Sequence, residues 1–281
     1  IPTPFWVSYP DMVILAEGIP KFIETKVEND FKISVDMLVK AITPKTKWII
    51  INSPSNPTGS CYTKKELEEI GNYLKKFRDL YILSDDIYEK ITYENFSFSA
   101  IAEVVPELKA KTLTVNGVSK AYCMTGWRVG FAGGPKDIIA NMSKMQSQST
   151  SGSSAVSQAA AVAALTRPQE FVMERTANLQ RRRDILFDKL NKSNGLKCDL
   201  PEGAMYIFCS CAENIGKKAP NGQIIHTDED FTMYLLNSAG VAVVQGSAYG
   251  LSPFFRASFV APEVDLIRGG DKIQEACAAL S

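Results

Sequence analysis

The chain has 281 residues and a formal net charge of zero, with 45% hydrophobic and 22% charged residues. This balance is typical of a globular protein, and it gives no support to a surface that binds nucleic acid or acidic lipid. No apolar run approaches the ~20 residues of a membrane span, and the first residues lack the basic and apolar regions of a signal peptide. We therefore expect a cytoplasmic protein without nucleic-acid or membrane partners.

Histidine and cysteine usage narrows the possible chemistry. With His226 as the single histidine, a His-rich metal site or a Ser-His-Asp triad is disfavoured, so no metal is expected. It lies in a polar segment and is predicted to be a surface loop residue. The six cysteines are irregularly spaced without a C-x-x-C pair, and reduced thiols fit a chain of this length better than a disulfide framework.

The first half of the chain alternates strand and helix patterns. Residues 47–52, K-W-I-I-I-N, predict a buried strand, and the loop S-P-S-N-P-T-G follows. Thr63 and Glu66 form the T-x-x-E capping box of a helix. Further strands are predicted at 80–84, 112–116 and 128–133. Short strands separated by helical segments predict an α/β fold with a largely parallel sheet.

Polar residues follow three of these strands. Asn56 comes after the first strand, Asp85 ends the second and Lys120 follows the third. In open α/β sheets the ligand crevice lies outside the carboxyl ends of the strands, so we expect these three side chains to converge.

The second half begins with an ambiguous segment. Residues 143–154, S-K-M-Q-S-Q-S-T-S-G-S-S, are small and polar, and a flexible linker is one interpretation of them. A helix of small residues follows, and a long helical pattern begins at Pro168. The run Arg181-Arg182-Arg183 within it is interpreted as a solvated helix face, since acidic neighbours argue against a nucleic-acid stripe.

The remaining pattern is strand-rich and ends in a helix. Strands are predicted at 201–208 and 240–246, and F-F-R-A-S-F-V precedes the last helix. We predict a large domain over residues 1–165 and a smaller α+β domain over residues 166–281.

Lys120 raises a specific chemical possibility. A desolvated lysine keeps a free amine that can form a Schiff base, and the obvious aldehyde partner is pyridoxal phosphate. This cofactor needs a carboxylate at its ring nitrogen, donors at its phenolic oxygen, a cation at its phosphate and an aromatic ring on its face. An amino-acid substrate also needs an arginine for its carboxylate. The chain offers a candidate for each: Asp85 for the nitrogen, Tyr88 and Asn56 for the oxygen, Arg128 for the phosphate, Trp6 for the face and Arg256 for the substrate.

Several segments together resemble the class I aminotransferases of PLP fold type I, and among them the bacterial-type aspartate aminotransferases. The segments are P-F-W-V-S-Y-P (4–10), N-S-P-S-N-P-T-G (52–59), S-D-D-I-Y-E (84–89), S-K-A-Y-C-M-T-G-W-R-V-G (119–130), P-E-G-A-M-Y (201–206) and the F-R-A-S-F near the end. The resemblance covers essentially the whole chain.

The resemblance implies a fold, a reaction and a set of roles. The fold has helices on both faces of the large sheet, and the reaction transfers an amino group from an amino acid, aspartate by resemblance, to a 2-oxo acid such as 2-oxoglutarate. Lys120 resembles the lysine that binds the cofactor and moves the proton, and Asp85 resembles the partner of the ring nitrogen. Tyr88 and Asn56 resemble the phenolic-oxygen donors, Arg128 the phosphate anchor and Arg256 the carboxylate clamp. Trp6 resembles the stacking residue, and Trp6 and Asn56 also contact substrate in this family. A homodimer is implied as well.

The chain also departs from the family pattern. Relatives carry about a hundred or more residues before the P-x-W segment, so the N-terminal part of the large domain is expected to be missing. Gly117 stands where relatives often have a phosphate-binding serine, and Tyr9 stands where some have a histidine behind the aspartate. No arginine occurs in 143–154, where some relatives present one to the partner's substrate.

Other functions remain open at this point. A lyase or decarboxylase of the same fold would share Lys120, Asp85 and Arg128, and a non-catalytic module that binds pyridoxal phosphate is a further alternative. A nicotinamide dehydrogenase is disfavoured because F-A-G-G-P-K does not fit the G-x-G-x-x-G pattern.

Overall fold

The computed structural model describes residues 1–94 and 96–281. Its strands are β1 (Pro2–Thr3), β2 (Ile23–Glu24), β3 (Trp48–Asn52), β4 (Tyr81–Asp85), β5 (Thr112–Gly117), β6 (Gly130–Gly133), β7 (Lys197–Cys198), β8 (Tyr206–Ser210), β9 (Val244–Gln245) and β10 (Phe254–Ser258). Its α-helices are α1 (Ser8–Leu15), α2 (Val35–Ala41), α3 (Lys64–Leu74), α4 (Ile101–Val104), α5 (Lys136–Ser149), α6 (Ala155–Thr166), α7 (Glu170–Asn191), α8 (Asp228–Tyr234) and α9 (Glu263–Ala278). Within the described residues, no helix has the length and apolar character needed to cross a membrane.

The first sheet has the strand order β3-β4-β5-β6. Strands β3, β4 and β5 are parallel, and β6 runs antiparallel to β5. The prediction of a largely parallel sheet in the first half is therefore confirmed. The last strand begins at Gly130 rather than at residue 128, because Arg128 adopts a left-handed backbone with φ of 55° that interrupts the extended chain.

Helix α3 packs on this sheet as the capping box and the apolar spacing predict. Glu66 N donates to Thr63 Oγ1 at 3.3 Å, and Thr63 N donates to Glu66 Oε2 at 2.7 Å. The buried side chains Leu67, Ile70 and Leu74 form one core with Ile49, Ile51 and Ile82 of the sheet. Each such buried aliphatic side chain contributes about 2 kcal/mol, so this face holds the helix against the strands that carry the polar ends.

The second sheet has the order β7-β8-β10-β9, and its neighbouring strands are antiparallel. Leu186 and Leu190 of α7 and Ile273 of α9 join one core with Ile207 of β8 and Phe255 of β10. This antiparallel sheet with packed helices is the α+β arrangement predicted for the second half.

The strand predicted at 201–208 begins only at Tyr206, because the residues before it make a different contact. Gly203 N donates to the Gly59 carbonyl oxygen at 2.9 Å. A Cβ on Gly203 would lie 2.6 Å from Pro54 Cγ, so the approach requires glycine. The segment 201–205, here called the Gly203 turn, therefore packs on residues 53–59, here called the Pro54 loop.

Two further segments differ from the sequence predictions. Helix α5 continues to Ser149, so the flexible-linker interpretation of residues 143–154 is wrong for most of that segment. The small polar side chains there are compatible with a helix that the structure leaves exposed. The strand predicted at 240–246 shrinks to β9, because the helical turn after α8 ends only at Gly240, with φ of 66°.

The predictions for His226 and for the arginine run have opposite outcomes. His226 is exposed, as predicted. Arg181 is exposed, but Arg183 is 0% exposed, so the solvated-face interpretation is wrong for Arg183. Its guanidinium donates to the Pro201 carbonyl oxygen at 2.9 Å and pairs with Glu94 and Asp184.

The guanidinium of Arg183 also lies 4.8 Å from the centroid of the Tyr93 ring. Burial of an arginine is tolerated only where hydrogen bonds and charges compensate for lost water, and these contacts supply that compensation. Arg183 therefore anchors α7 to the Gly203 turn.

We expect Arg183→Ala to lower the free energy of unfolding by about 2–4 kcal/mol, since it opens a cavity and leaves the Pro201 carbonyl without its donor. The matched control is Arg181→Ala on the same helix, where an exposed ion pair with Glu263 contributes at most about 1 kcal/mol. Urea unfolding midpoints of the two variants check this. Equal losses in both would contradict the buried role of Arg183.

Candidate active site

Asn52 and Asp85 define the centre of the site at the carboxyl ends of β3 and β4. They are paired in register, and Asn52 Nδ2 donates to the Asp85 carbonyl oxygen at 2.9 Å. Asn52 Oδ1 accepts from the backbone N of Asn56 at 2.8 Å. Asn52 therefore fixes the Pro54 loop relative to the strand that carries Asp85. The sequence reasoning did not single out Asn52, although its place as the last residue of a buried strand was a usable signal.

Asp85 is held by donors from two elements. Tyr9 of α1 is 3% exposed, and its hydroxyl donates to Asp85 Oδ2 at 2.6 Å. The Ile87 backbone N donates to Oδ1 at 3.3 Å. Burial raises the pKa of Asp85, while the Tyr9 hydroxyl, the Ile87 amide and the charge of Lys120 act in the opposite direction. The departure noted at Tyr9 thus gives Asp85 a tyrosine hydroxyl as its side-chain donor.

The neighbouring Asp86 has a different environment. It is 3% exposed and accepts from the Ser84 hydroxyl at 2.7 Å. Burial, with smaller contributions from Glu89 and Asp85, raises the pKa of Asp86 to about 7. Burial raises the pKa of both carboxyl groups; the Tyr9 hydroxyl and the Ile87 amide oppose this effect at Asp85, and the Ser84 hydroxyl opposes it at Asp86.

Tyr88 and Lys120 lie close to each other in the site. Lys120 is half-buried, and its Nζ lies 5.7 Å from the centroid of the Tyr88 ring. Tyr88 is buried, and its hydroxyl is 2.9 Å from the hydroxyl of Tyr206 at the start of β8. Burial is the largest cause of a raised pKa of Tyr88, so this hydroxyl stays protonated. Tyr206 received no role from the sequence reasoning, although it ends the quoted segment P-E-G-A-M-Y.

Arg256 of β10 reaches the same place from the second sheet. Its NH1 donates to Asn56 Oδ1 at 2.9 Å. Its guanidinium carbon lies 4.3 Å from the Tyr206 ring centroid and 5.1 Å from that of Tyr249. The guanidinium is thus held by two aromatic rings and one amide.

The last two predicted residues differ in their connection to the site. Trp6 packs edge-on against Tyr9, with ring centroids 5.3 Å apart, and remains 38% exposed. Arg128 is exposed, and its NH1 donates to the Thr125 carbonyl oxygen at 3.0 Å. Among the described residues, the Arg128 side chain forms no hydrogen bond with the other predicted residues. The structure therefore links six of the seven through a chain of contacts, and Arg128 lies outside this chain.

Gly117 departs from the expected serine for a local steric reason. It is paired with Gly130 across β5 and β6. A Cβ at Gly117 would lie 3.0 Å from the Val129 carbonyl oxygen and 3.2 Å from Gly130 Cα. These are backbone atoms, so a serine here requires the two strands to separate slightly.

Comparisons with known proteins agree with this geometry. The family model "Aminotransferase class I and II" matches residues 1–268. The aspartate aminotransferase of Rhizobium meliloti (strain 1021) is 50% identical over 281 residues, which is all of this chain and 68% of that protein. The probable aspartate/prephenate aminotransferase of Rhizobium leguminosarum bv. phaseoli is also 50% identical, over 99% of this chain and 70% of its own length.

This chain belongs to the class I and II aminotransferases.

Solved structures of such aminotransferases have the same fold. The crystal structure of the aspartate aminotransferase from Rhizobium meliloti has a TM-score of 0.97 at 49% identity and covers 100% of this chain and 70% of that one. The aspartate aminotransferase from Thermus thermophilus, solved with maleate, has a TM-score of 0.87 at 37% identity and covers 98% of this chain and 68% of that one. The fold is therefore that of PLP fold type I, as the resemblance implies.

The family match identifies an enzyme that transfers an amino group between an amino acid and a 2-oxo acid, with pyridoxal phosphate as cofactor. It favours this reaction over the lyase, decarboxylase and non-catalytic alternatives.

The residues present in this aminotransferase fit the cofactor and an amino-acid substrate. Arg256 Nε is buried without an acceptor among the described residues, and a substrate carboxylate would supply one. Asp85 accepts two hydrogen bonds but pairs with no described cationic side chain, and a protonated ring nitrogen would supply that charge. The Lys120 amine and the Tyr88 hydroxyl match the aldehyde and the phenolic oxygen.

The raised pKa of Asp86 predicts a pH-dependent stability difference. A carboxyl group whose folded pKa exceeds its unfolded value stabilises the fold at low pH and loses that contribution as the pH rises towards 7. We expect Asp86→Asn to gain about 2–3 kcal/mol relative to the unmodified protein between pH 5 and pH 8. Urea unfolding at both pH values measures this, with the exposed Asp79→Asn as control. A difference that does not change with pH would refute it.

Proposed function

We propose that this aminotransferase takes its amino group from aspartate and passes it to 2-oxoglutarate. The relatives from Rhizobium meliloti carry the activity aspartate aminotransferase in their names, and the Thermus thermophilus enzyme was solved with maleate. Maleate, aspartate and 2-oxoglutarate are all dicarboxylates. The observation that carries the proposal is the single contact network in which Asp85, Lys120 and Arg256 are joined through Tyr88, Tyr206 and Asn56.

A second acceptor is favoured by other relatives. Proteins from Rhizobium leguminosarum and Rickettsia felis are named probable aspartate/prephenate aminotransferases, at 50% and 46% identity. We therefore propose prephenate as a further 2-oxo acid to be tested. The Tyr206 and Tyr249 rings beside the Arg256 guanidinium are compatible with a ring-bearing substrate.

In this proposal, residues from separate segments of the chain bind different parts of the cofactor and the substrate. Asp85 holds the ring nitrogen, Tyr88 and Asn56 donate to the phenolic oxygen, and Trp6 covers the ring face. Arg128 binds the phosphate, a role supported by the resemblance and by its exposed guanidinium. Arg256 holds the substrate carboxylate, with Asn56 and Trp6 also touching substrate.

Lys120 carries the proton transfers in this proposal. Bound pyridoxal phosphate supplies an aldehyde that condenses with amines and a protonated ring that accepts the electron pair of the broken Cα–H bond. When the cofactor is bound, the Lys120 amine would remove the proton from the substrate Cα as general base and then, as general acid, deliver it to the cofactor carbon that is bonded to the amino nitrogen. Asp85 would keep the ring nitrogen protonated, and the Tyr9 hydroxyl and the Ile87 amide favour its ionised form against the effect of burial. Arg256 fixes the substrate so that Cα stays within reach of Lys120.

The proposal includes two features of assembly. We propose a large domain over residues 1–165 and a smaller domain over residues 166–281, supported by the two separate sheets. We also propose a homodimer, supported by the exposed apolar side chains on α5 and α6: Met142, Met145, Val156 and Val162.

Borohydride reduction tests the proposed function. After incubation with pyridoxal phosphate, reduction is expected to attach the cofactor to Lys120, and excess aspartate is expected to prevent this, because the substrate amine displaces the lysine. Mass spectrometry of the digested protein locates the modified peptide. Lys120→Ala is expected to lower transfer from aspartate by about 10²–10⁴-fold, whereas Lys109→Ala, at an exposed lysine outside the predicted site, leaves it unchanged. Cofactor spread over surface lysines, unaffected by aspartate, would contradict the proposal.

The hydrogen bond from Tyr9 predicts a shift in the pH profile. Tyr9→Phe removes the side-chain donor to Asp85, which raises the pKa of that already buried carboxyl further. The acidic limb of the kcat/KM profile is expected to move to higher pH by about one unit. At pH values on that limb, kcat/KM is expected to be up to about tenfold lower than in the unmodified protein.

Tyr234→Phe is the matched control for Tyr9→Phe. Tyr234 is also 3% exposed, and its hydroxyl donates to the Ala276 carbonyl oxygen at 2.9 Å, away from the site. If the acidic limb of Tyr9→Phe coincides with that of Tyr234→Phe and of the unmodified protein, the Tyr9 hydrogen bond does not set the pKa of Asp85.

A further inference from the structure

Tyr206 makes two different contacts with the site, one through its hydroxyl and one through its ring. It is the first residue of β8 and is 8% exposed. Its hydroxyl is 2.9 Å from the Tyr88 hydroxyl, and its ring centroid is 4.3 Å from the guanidinium carbon of Arg256. A single side chain therefore contacts both the proposed phenolic-oxygen donor and the proposed carboxylate clamp.

The contact between the two hydroxyl groups allows either tyrosine to be the donor. Each of the two hydroxyl groups has one hydrogen to donate and lone pairs to accept. When Tyr206 donates to Tyr88, the Tyr88 hydrogen is left free to donate into the site. Burial keeps the pKa of Tyr88 raised, so Tyr88 retains that hydrogen. The Tyr206 hydroxyl is thus able to orient Tyr88 as a donor.

The ring contact follows from the register of the second sheet. Tyr206 pairs with Ser258 of β10, two residues beyond Arg256, so the two side chains lie on the same sheet face as diagonal neighbours. The Tyr249 ring lies 5.1 Å from the guanidinium carbon of Arg256 as well. Attraction between a guanidinium and aromatic faces contributes about 0.5–2 kcal/mol when partly desolvated. The rings therefore restrict Arg256 to the orientation in which NH1 meets Asn56 and Nε remains free for a carboxylate.

We infer that Tyr206 is a positioning residue that orients the Tyr88 hydroxyl towards the cofactor and the Arg256 guanidinium towards the substrate carboxylate. The inference rests on the proposed function, since it assigns a task to residues whose roles are proposed there. The two tasks use different atoms of Tyr206, so different substitutions separate them. Tyr206→Phe removes the hydroxyl and keeps the ring, whereas Tyr206→Leu removes both.

Absorbance titration of the cofactor-loaded protein tests the hydroxyl task without any turnover. A phenolic oxygen with a weaker donor holds its proton more tightly, so both variants are expected to move the pH midpoint of the absorbance change upward by about 0.5–1 unit.

Titration with maleate tests the ring task, since this dicarboxylate is not turned over. Tyr206→Phe is expected to bind maleate within about twofold of the unmodified protein, and Tyr206→Leu about tenfold more weakly. The KM values for aspartate and 2-oxoglutarate are expected to follow the same order.

Tyr234→Phe is the control, with unchanged midpoint and maleate affinity expected. The inference is overturned if Tyr206→Phe leaves the midpoint unchanged, or if it weakens maleate binding as much as Tyr206→Leu does. If Tyr206→Leu does not fold, Tyr206→Phe alone decides through the same two readouts. Borohydride attachment to Lys120 in the unmodified protein separates the two levels. If the cofactor does not attach to Lys120, the proposed function itself fails. If it attaches and Tyr206→Phe changes neither readout, only the role inferred for Tyr206 is overturned.

Discussion

The partly buried carboxyl group of Asp85 is the constraint around which the site is organised. An ionised carboxyl group loses several kcal/mol of hydration on burial unless donors and positive charge replace the water. The parallel pairing of β3 with β4 brings Asp85 to the sheet edge beside Asn52, and α1 supplies the Tyr9 hydroxyl from a distant part of the chain. The donors leave room for one positive charge, which is what a protonated cofactor ring brings. Burial still raises the pKa of Asp85, and the positive charge of a bound cofactor ring would favour its ionised form.

The second constraint is that the site is shared by two sheets. Asn56 follows β3 in the first sheet, and Arg256 belongs to β10 in the second, yet their side chains are hydrogen-bonded across 200 residues of sequence. Arg183 anchors α7 to the Gly203 turn, and that turn packs on the Pro54 loop. Substrate binding at Arg256 is thereby connected to the cofactor side by packed backbone and not only by side chains.

Sequence patterns predict the part of this architecture that depends on local periodicity. The strands that end at Asp85 and precede Asn56 and Lys120 could be identified from apolar runs, and their convergence follows from the parallel topology. The buried state of Arg183 could not, because it depends on Glu94 and Pro201, which only the tertiary fold brings near. The Tyr88–Tyr206 contact spans 118 residues and leaves no periodic signal. The helix at 143–149 was obscured because small polar residues favour both loops and exposed helices.

The tight approach of Gly203 to Pro54 has a mechanical consequence. Because a Cβ at residue 203 would lie only 2.6 Å from Pro54 Cγ, the Gly203 turn and the Pro54 loop are closely packed there, and a larger residue at 203 would push them apart. Tyr206 lies three residues after Gly203, and Asn56 lies two residues after Pro54. Asn52 also fixes the Pro54 loop to the strand that carries Asp85, so this contact ties the start of β8 to the first sheet. The Gly203 contact thus opposes sliding of the second sheet along the first at the point where the two halves of the site meet.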